Sequence, residues 1–219
     1  MTKILIADDH PLFRLALVQA VANIGEDVEV LEADSLDSAR AMLGLQADTD
    51  IVLLDLHMPG SHGLMGLVAL RTEFPAVAVV MISANDDPQV IRRAMTYGAA
   101  GFIPKRSSIE DIQEMLRSTI ACEDPLPLPR NPTIDAEAEQ DRQLARRLAT
   151  LSPQQLKVLI LVAEGLLNKQ IADRLDIQER TVKAHMSAVF ERLDVRNRTQ
   201  ASVLLRSLEV ADPSRSLDG

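Results

Sequence analysis

Residues 123–132 read EDPLPLPRNP, four prolines in ten positions, and neither a helix interior nor a central strand survives that spacing. Such a stretch prefers polyproline II, in which about eight residues span roughly 25 Å, so it separates two folding units rather than running through one. The patterns on its two sides differ accordingly. Before it, short β-rich apolar runs alternate with segments of helical period, the arrangement of a parallel sheet wrapped by helices. After it, strand signals are absent and the pattern is helical throughout. The expected division is a sheet domain over 1–121, a linker over 122–149, a smaller helical domain over 150–211 and a flexible tail over 212–219 (DPSRSLDG). Within the linker, Asp135 to Ala149 is rich in Ala, Glu, Gln and Arg, which suits either a helical connector or a plain solvated segment.

Composition removes several alternatives. With 47% hydrophobic and 25% charged residues among 219, the chain is of ordinary globular type and long enough for two cores. A single cysteine, Cys122, rules out an internal disulfide framework or a Cys-rich zinc site, and no apolar run of signal-peptide or membrane-spanning length occurs. A cytoplasmic protein without membrane association is expected. Four Phe, one Tyr and no Trp leave no stacking platform for single-stranded nucleic acid. The net charge of −9 is uneven: residues 1–121 hold 9 basic and 17 acidic side chains, 150–219 hold 10 and 9. The near-neutral C-terminal part is compatible with duplex binding, though not with strong indiscriminate binding.

Five strands are read in the first part, Lys3 to Asp8, Val28 to Ala33, Ile51 to Leu54, Ala78 to Ser83 and Gly101 to Pro104. Between the first two, Phe13, Ala16, Leu17, Ala20, Val21 and Ile24 form one helical stripe, with Pro11 in its first turn. Open parallel sheets bind ligands beyond the carboxyl ends of their strands. There this sequence places Asp8 and Asp9, Asp55, Ser83, and Lys105 just after the fifth strand. Any one of these is what a solvated turn shows; four strand ends together define a constellation. Crowded carboxylates repel unless a cation joins them, and an all-oxygen set suits Mg²⁺ or Mn²⁺. A carboxylate beside that metal and a lysine can attack a phosphoryl donor, which makes Asp55 the nucleophile and Ser83 a hydroxyl that senses the product.

On these residues, 1–120 resembles the receiver domain of two-component response regulators, a five-stranded, doubly wound, flavodoxin-like α/β fold. The resemblance places the acidic pair on Asp8 and Asp9, and the phospho-acceptor on Asp55 followed by Met58, Pro59 and Gly63. It places the switch hydroxyl on Ser83 followed by Ala84, the lysine on Lys105 and the switching aromatic on Phe102. It implies Mg²⁺ or Mn²⁺ held by Asp9, Asp55 and the backbone carbonyl of His57, with Asp8 acting largely through water. Tyr97 is off the switch position and reads as helix-end packing. His57 and Asn85 stand where this family tunes the lifetime of the phosphoryl group; His57 either orders a hydrolytic water or is an exposed bystander. Lys105 departs from many receivers in being preceded by Pro104 and followed by Arg106. A dehalogenase-type phosphatase would want a second Asp where His57 stands, and a flavin binder would want a phosphate loop where Asp8 and Asp9 would repel the anion.

In the helical part, Ser152 caps a helix with Pro153 in its first turn and Leu156, Leu159, Ile160 and Ala163 on one face. Asn168 to Leu193 then reads as a short helix, a tight turn over Asp176 to Gln178 and a longer helix, followed by a last helix after Thr199. Val182, Met186, Val189 and Leu193 are the buried stripe of the longer helix; Arg180, Lys183, Ala184 and Ser187 face away, basic and small as a major-groove helix requires. Taken alone this could be bundle packing. Residues 151–206 nevertheless resemble the C-terminal domain of the LuxR/NarL regulators, quoting LSPQQLKVLILVAEGLLNKQIADRL, TVKAH and RNRTQA. Gln178 stands where that family usually has a capping Ser or Thr. DNA contacts are expected from Lys169, Arg180, Thr181, Lys183, Ala184, Ser187 and Arg198, with Arg192, Arg196 and Arg206 as further phosphate contacts.

Joined, the two resemblances imply a transcriptional response regulator: a sensor histidine kinase as phosphoryl source, a double-stranded operator as target, and no enzymatic activity beyond stoichiometric phosphorylation and slow dephosphorylation at Asp55. The family's unphosphorylated receiver can obstruct the recognition helix, and phosphorylation frees it and favours a homodimer, for which Val203 and Leu204 are candidate contacts unless they serve the internal core. The rival is an adaptor that acts by protein contact and whose helical domain only dimerises.

Overall fold

The computed structural model describes residues 1–25, 27–121 and 132–210. The proline-rich stretch up to residue 131 and the tail at 212–219 lie outside the described residues.

Five short runs rich in Val, Ile and Leu form one parallel sheet: β1 (Thr2–Ala7), β2 (Val28–Ala33), β3 (Ile51–Asp55), β4 (Ala78–Ser83) and β5 (Gly101–Pro104), in spatial order β2-β1-β3-β4-β5. Four of these strands are buried along nearly their whole length, the signature of a sheet covered on both faces. The cover is α1 (Pro11–Ala22), α2 (Leu36–Leu45), α3 (Leu64–Glu73), α4 (Pro88–Thr96) and α5 (Ile109–Ile120). Strand order reverses at β1, between β2 and β3, which opens a crevice at the carboxyl edge there. Register across the edge sets Ala7 beside Leu54, Asp55 beside Ile82 and Ser83 beside Pro104.

Strand ends differ from the sequence reading by single residues: β1 stops at Ala7, so Asp8 begins the loop, whereas Asp55 is still in β3. On α1 the expected stripe buries Leu17, Ala20 and Val21, with Phe13 and Ile24 packed at its edge, but Ala16 is exposed and Val18 takes its place against the core.

The described residues after 131 form helices: α6 (Pro132–Leu148), α7 (Pro153–Ala163), α8 (Asn168–Leu175), α9 (Glu179–Leu193) and α10 (Arg198–Arg206). Ser152 caps α7 in a capping box with Gln155, whose amide oxygen also takes a bond from Arg192. Between α8 and α9 the chain turns at Asp176, in the left-handed region at φ 52°, with Ile177 N–H bonding back to Ala172 O at 3.0 Å. No side chain caps α9 at Gln178, as the substitution for Ser or Thr implied, and α10 begins at Arg198 because Asn197 caps it.

The sequence reading gave α7 one apolar face; it has two. Val158, Leu161 and Val162 pack on α8 and α9, while Leu156 and Leu159 join a cluster that continues through Leu193, Leu205 and Leu208 into Leu64, Met65 and Val68 of α3. The receiver-like unit and the helical unit therefore share a core here. A polar clamp adds to it. Tyr97, at the end of α4, is buried and donates its hydroxyl to Asp141 of α6 at 2.8 Å, and Arg93 reaches the same carboxylate at 3.2 Å and the carbonyl of Ser207. Burial and the Asp141 charge push the Tyr97 phenol above the ordinary tyrosine range. Beyond helix-end packing, this side chain is thus a hydrogen-bonded tie between units. Tyr97→Phe keeps the ring and removes the tie, so a loss of about 1–2 kcal/mol is expected together with faster amide exchange in α6. Unchanged exchange there would show that the tie is not what holds α6 on α4.

Candidate functional site

Desolvation and charge shape the crevice at the carboxyl edge. Asp8 and Asp55 are each 1% exposed, which is rare for carboxylates unless they are paired or bind cations. Lys105, carried past the end of β5, sets its Nζ 2.9 Å from Asp8 Oδ2 and 2.9 Å from Asp55 Oδ2, and 4.9 Å from the ring centre of Phe13. Asp9 follows on the same loop, half-buried. Burial, the largest influence, drives the Asp55 carboxyl upward, Asp8 repels it further, and Lys105 and the His57 N–H pull the other way without winning. For Lys105 burial works toward a lower value, but its bonds to Asp8 and Asp55 outweigh that and the ammonium is raised. Both groups are raised, which favours the charged lysine but the neutral acid, because one ammonium serves two carboxylates: Lys105 gains from both, while neither acid gains a cation of its own. We take the cluster as short of positive charge.

The donor set fits a divalent cation. Asp8, Asp9, His10 and Asp55 bring one ligand atom each to within 4.8 Å of one another, and Asp9 Oδ1 is shielded from solvent without a well-directed hydrogen bond. His57 follows on the same loop, its N–H 3.4 Å from Asp55 Oδ1, so its carbonyl belongs to the turn that leaves the acceptor. The histidine itself is half-buried. Ser83 is fully buried at the end of β4 and its Oγ accepts from Asn85 N–H at 3.0 Å; Ala84 beside it is exposed. Phe102 is buried within the sheet's helix-side core. Asp8, Asp9, Asp55 and Lys105 thus converge on one point, Ser83 lies one strand over, and Phe102 sits inside. Two participants escaped the sequence reading: His10, whose signal was simply its place after the acidic pair, and Phe13, read only as core.

The second face of interest is on α9. Arg180, Lys183, Ala184 and Ser187 are exposed and Thr181 is half-exposed, opposite the buried Val182, Met186, Val189 and Leu193. Lys183 pairs with Glu179 one turn earlier at 2.9 Å, with both side chains largely solvated, a contact worth little on its own. Lys169, Lys183, Ser187 and Arg198 line one open groove with Phe190. Arg198 is drawn inward, however: its guanidinium donates to the carbonyls of Val162 and Leu166 and so ties α10 to the end of α7. Arg192 is similarly engaged with Thr150 O and Gln155. On α10, Val203 is 63% exposed, but Leu204 is half-buried against the core.

The receiver does not cover the recognition helix, as the family's receiver can. The outward face of α9 is open, and the receiver-like unit sits against α7 and the end of α10, where Leu64 N–H donates to Leu208 O at 3.1 Å. The reason is that α7 carries the second apolar face, through Leu156 and Leu159, and α9 does not.

Comparison with known proteins agrees with both halves. Residues 4–117 match the family model of the response regulator receiver domain, and residues 149–205 that of the bacterial regulatory proteins of the luxR family. The chain is 45% identical over 206 residues to a glycerol metabolism activator of Pseudomonas putida, covering 92% of this chain and 93% of that one. It is 33% identical over 201 residues to the nitrate/nitrite response regulator protein NarL of Escherichia coli K12, covering 91% and 93%. Among solved structures, that of the two-component response regulator RcsB–DNA complex superposes with a TM-score of 0.53 at 22% identity, covering 94% of this chain and 98% of that one, a likeness of fold. The chain belongs to the response regulators that join a receiver domain to a luxR-family helix-turn-helix domain.

Proposed function

We propose that this protein is a DNA-binding transcriptional regulator of a two-component system, switched by phosphorylation of Asp55. The observation that carries the reading is a buried acceptor carboxylate, 2.9 Å from a lysine ammonium, inside a cluster with more carboxylates than that one ammonium can balance, on the chain that also presents an open, basic helix-turn-helix face. Asp9, Asp55 and the His57 carbonyl would hold Mg²⁺ or Mn²⁺, with Asp8 supporting through water; the cation neutralises charge on the transferring phosphoryl group. Asp55 attacks phosphorus, the bond to the donor histidine of a sensor kinase breaks, and Lys105 and Ser83 take the new phosphoryl oxygens. Ala84, beside that hydroxyl, and Phe102 respond to the resulting shift of the β4 end. This is stoichiometric modification of a regulator rather than turnover. The reading divides the chain into a receiver at 1–121, a linker at 122–149, a reader at 150–211 and a tail at 212–219. It places the protein in the cytoplasm, and among the described residues no helix is long and apolar enough to cross a membrane.

On the DNA side, Lys183, Arg180 and Thr181 would read the major groove, where Ala184 and Ser187 let bases approach closely, and Lys169 and Arg198 would approach phosphates. Phosphorylation would release the end of α10 from the receiver, so that Val203, with Leu204 beneath it, becomes available to a second copy. Lys183→Ala is expected to weaken operator binding by about 1–3 kcal/mol, roughly five- to 150-fold, with circular dichroism and unfolding unchanged. Titration of duplex DNA at several salt concentrations measures it; unaltered affinity would remove Lys183 from the interface, and no salt-dependent binding by the parent protein would favour the adaptor instead.

A further inference from the structure

The feature that phosphotransfer at Asp55 leaves unexplained is His10. Its side chain is 58% exposed, so burial does not force it inward, yet its Nδ1 is turned into the acidic cluster. It lies 2.9 Å from Asp9 Oδ1, 3.1 Å from Asp8 Oδ1 and 3.6 Å from Asp55 Oδ2, with Lys105 Nζ at 3.3 Å. A ring nitrogen cannot satisfy all of these neighbours. Carboxylate oxygens only accept and therefore ask Nδ1 to carry a proton; an ammonium only donates and asks it to present a lone pair. Four electron-pair donors facing one another is instead the geometry of a coordination shell. Metal–ligand bonds of about 2.1 Å put neighbouring ligand atoms about 3 Å apart in an octahedron and about 3.4 Å apart in a tetrahedron; His10 Nδ1 meets Asp9 Oδ1 and Asp8 Oδ1 at that spacing, and Asp55 Oδ2 lies slightly beyond it at 3.6 Å.

We infer that His10 is a direct ligand, through Nδ1, for imidazole-accepting divalent cations such as Mn²⁺ and Zn²⁺ at the Asp8–Asp9–Asp55 site, which rests on reading that cluster as a cation site. Nitrogen in the donor set discriminates between metals. Mg²⁺ takes oxygen and gains little from an imidazole, whereas Zn²⁺ and, less strongly, Mn²⁺ gain from it. The site is thereby tuned toward transition ions as well as Mg²⁺, and the residue that tunes it reaches in from solvent and can be exchanged without opening the core.

The test uses the full-length protein, loaded with Mn²⁺, and electron spin-echo spectroscopy for coupling of a ¹⁴N nucleus to the metal. Such coupling is expected in the parent protein and in His57→Ala and is expected to vanish in His10→Ala. In parallel, Zn²⁺ is titrated in competition with Mg²⁺, so that only ions at the shared site are counted. His10→Ala should lower Zn²⁺ affinity by about tenfold or more and leave Mg²⁺ affinity within about twofold. Mn²⁺ binding without nitrogen coupling, or an unchanged preference between Zn²⁺ and Mg²⁺, would overturn the role of His10 and leave the cation site standing. Failure of the parent protein to bind any of the three ions would overturn both.

Discussion

Asp55→Asn is expected to fold, to keep its affinity for non-specific duplex DNA, and to take up no acid-stable, base-labile phosphoryl group from a small phosphodonor or a phosphorylated kinase. Asn has the volume of Asp and lacks the nucleophilic oxyanion, so chemistry is lost with packing intact. Stability offers a second readout. Asp55 is buried beside Asp8 with one lysine between them, and its carboxyl is raised because burial disfavours the charge. Its raised value means the folded state binds this proton more tightly than the unfolded chain does. The site's contribution is therefore greatest below the ordinary carboxylate range and is lost as pH rises through the raised value. Asn carries no charge at any pH. Above that range the variant should be at least as stable as the parent in urea unfolding, and below it the difference should shrink. Retained phosphoryl labelling would refute Asp55 as acceptor, and a large loss of stability at neutral pH would show that its charge is structural.

That site was legible in the sequence because each member stands at a strand end. Asp8, Asp55, Ser83 and Lys105 each follow or close a run of Val, Ile, Leu or Met, and a parallel sheet delivers all such ends to one edge whatever the helices do. The cap at Ser152 and the missing side-chain cap at Gln178 were legible for the same local reason. What was not legible depends on which surface meets which. Nothing local distinguishes Leu156 and Leu159, which continue into the receiver, from Val158 and Val162, which stay at home, since all are apolar positions on one short helix. Tyr97 could be placed at the end of α4, but its partner Asp141 is 44 residues away across the proline-rich stretch. His10 was overlooked because a histidine after two aspartates has no periodicity to betray it. Arg198, read as a phosphate contact, spends donors on the carbonyls of Val162 and Leu166, a demand set by the end of α7 and visible only when α7 and α10 are packed together.

The junction between the two units should depend on one glycine. Gly63, at φ 66° before α3, has the backbone of residues 208–210 pressed against it: a Cβ there would lie 2.7 Å from Leu208 O and 2.9 Å from Val210 N. Backbone atoms cannot rotate aside as a side-chain end can, so Gly63→Ala must push the segment after α10 off the receiver, breaking the Leu64 N–H to Leu208 O bond and drawing Leu208, fully buried, out of the shared core. Gly60→Ala is the matched control. It carries the same kind of positive-φ strain, at 82°, but would meet only the Cβ of Leu36 at 3.4 Å. The loop from Asp55 to Gly63 joins the acceptor to this contact, and the energies make the contact the deciding element. Phosphoryl bonds to Ser83 and Lys105 supply about 1.5–3 kcal/mol each, against roughly 5.5 for a complete switch, so phosphorylation works only if the docked state is weakly held. Removing the Gly63 contact should tip the balance without phosphorylation. The expected result is a larger radius of gyration in solution scattering for unphosphorylated Gly63→Ala, a higher dimer fraction, and operator affinity close to that of the phosphorylated parent. A Gly63→Ala protein as compact and as dependent on phosphorylation as Gly60→Ala would show that the segment after α10 does not restrain the switch.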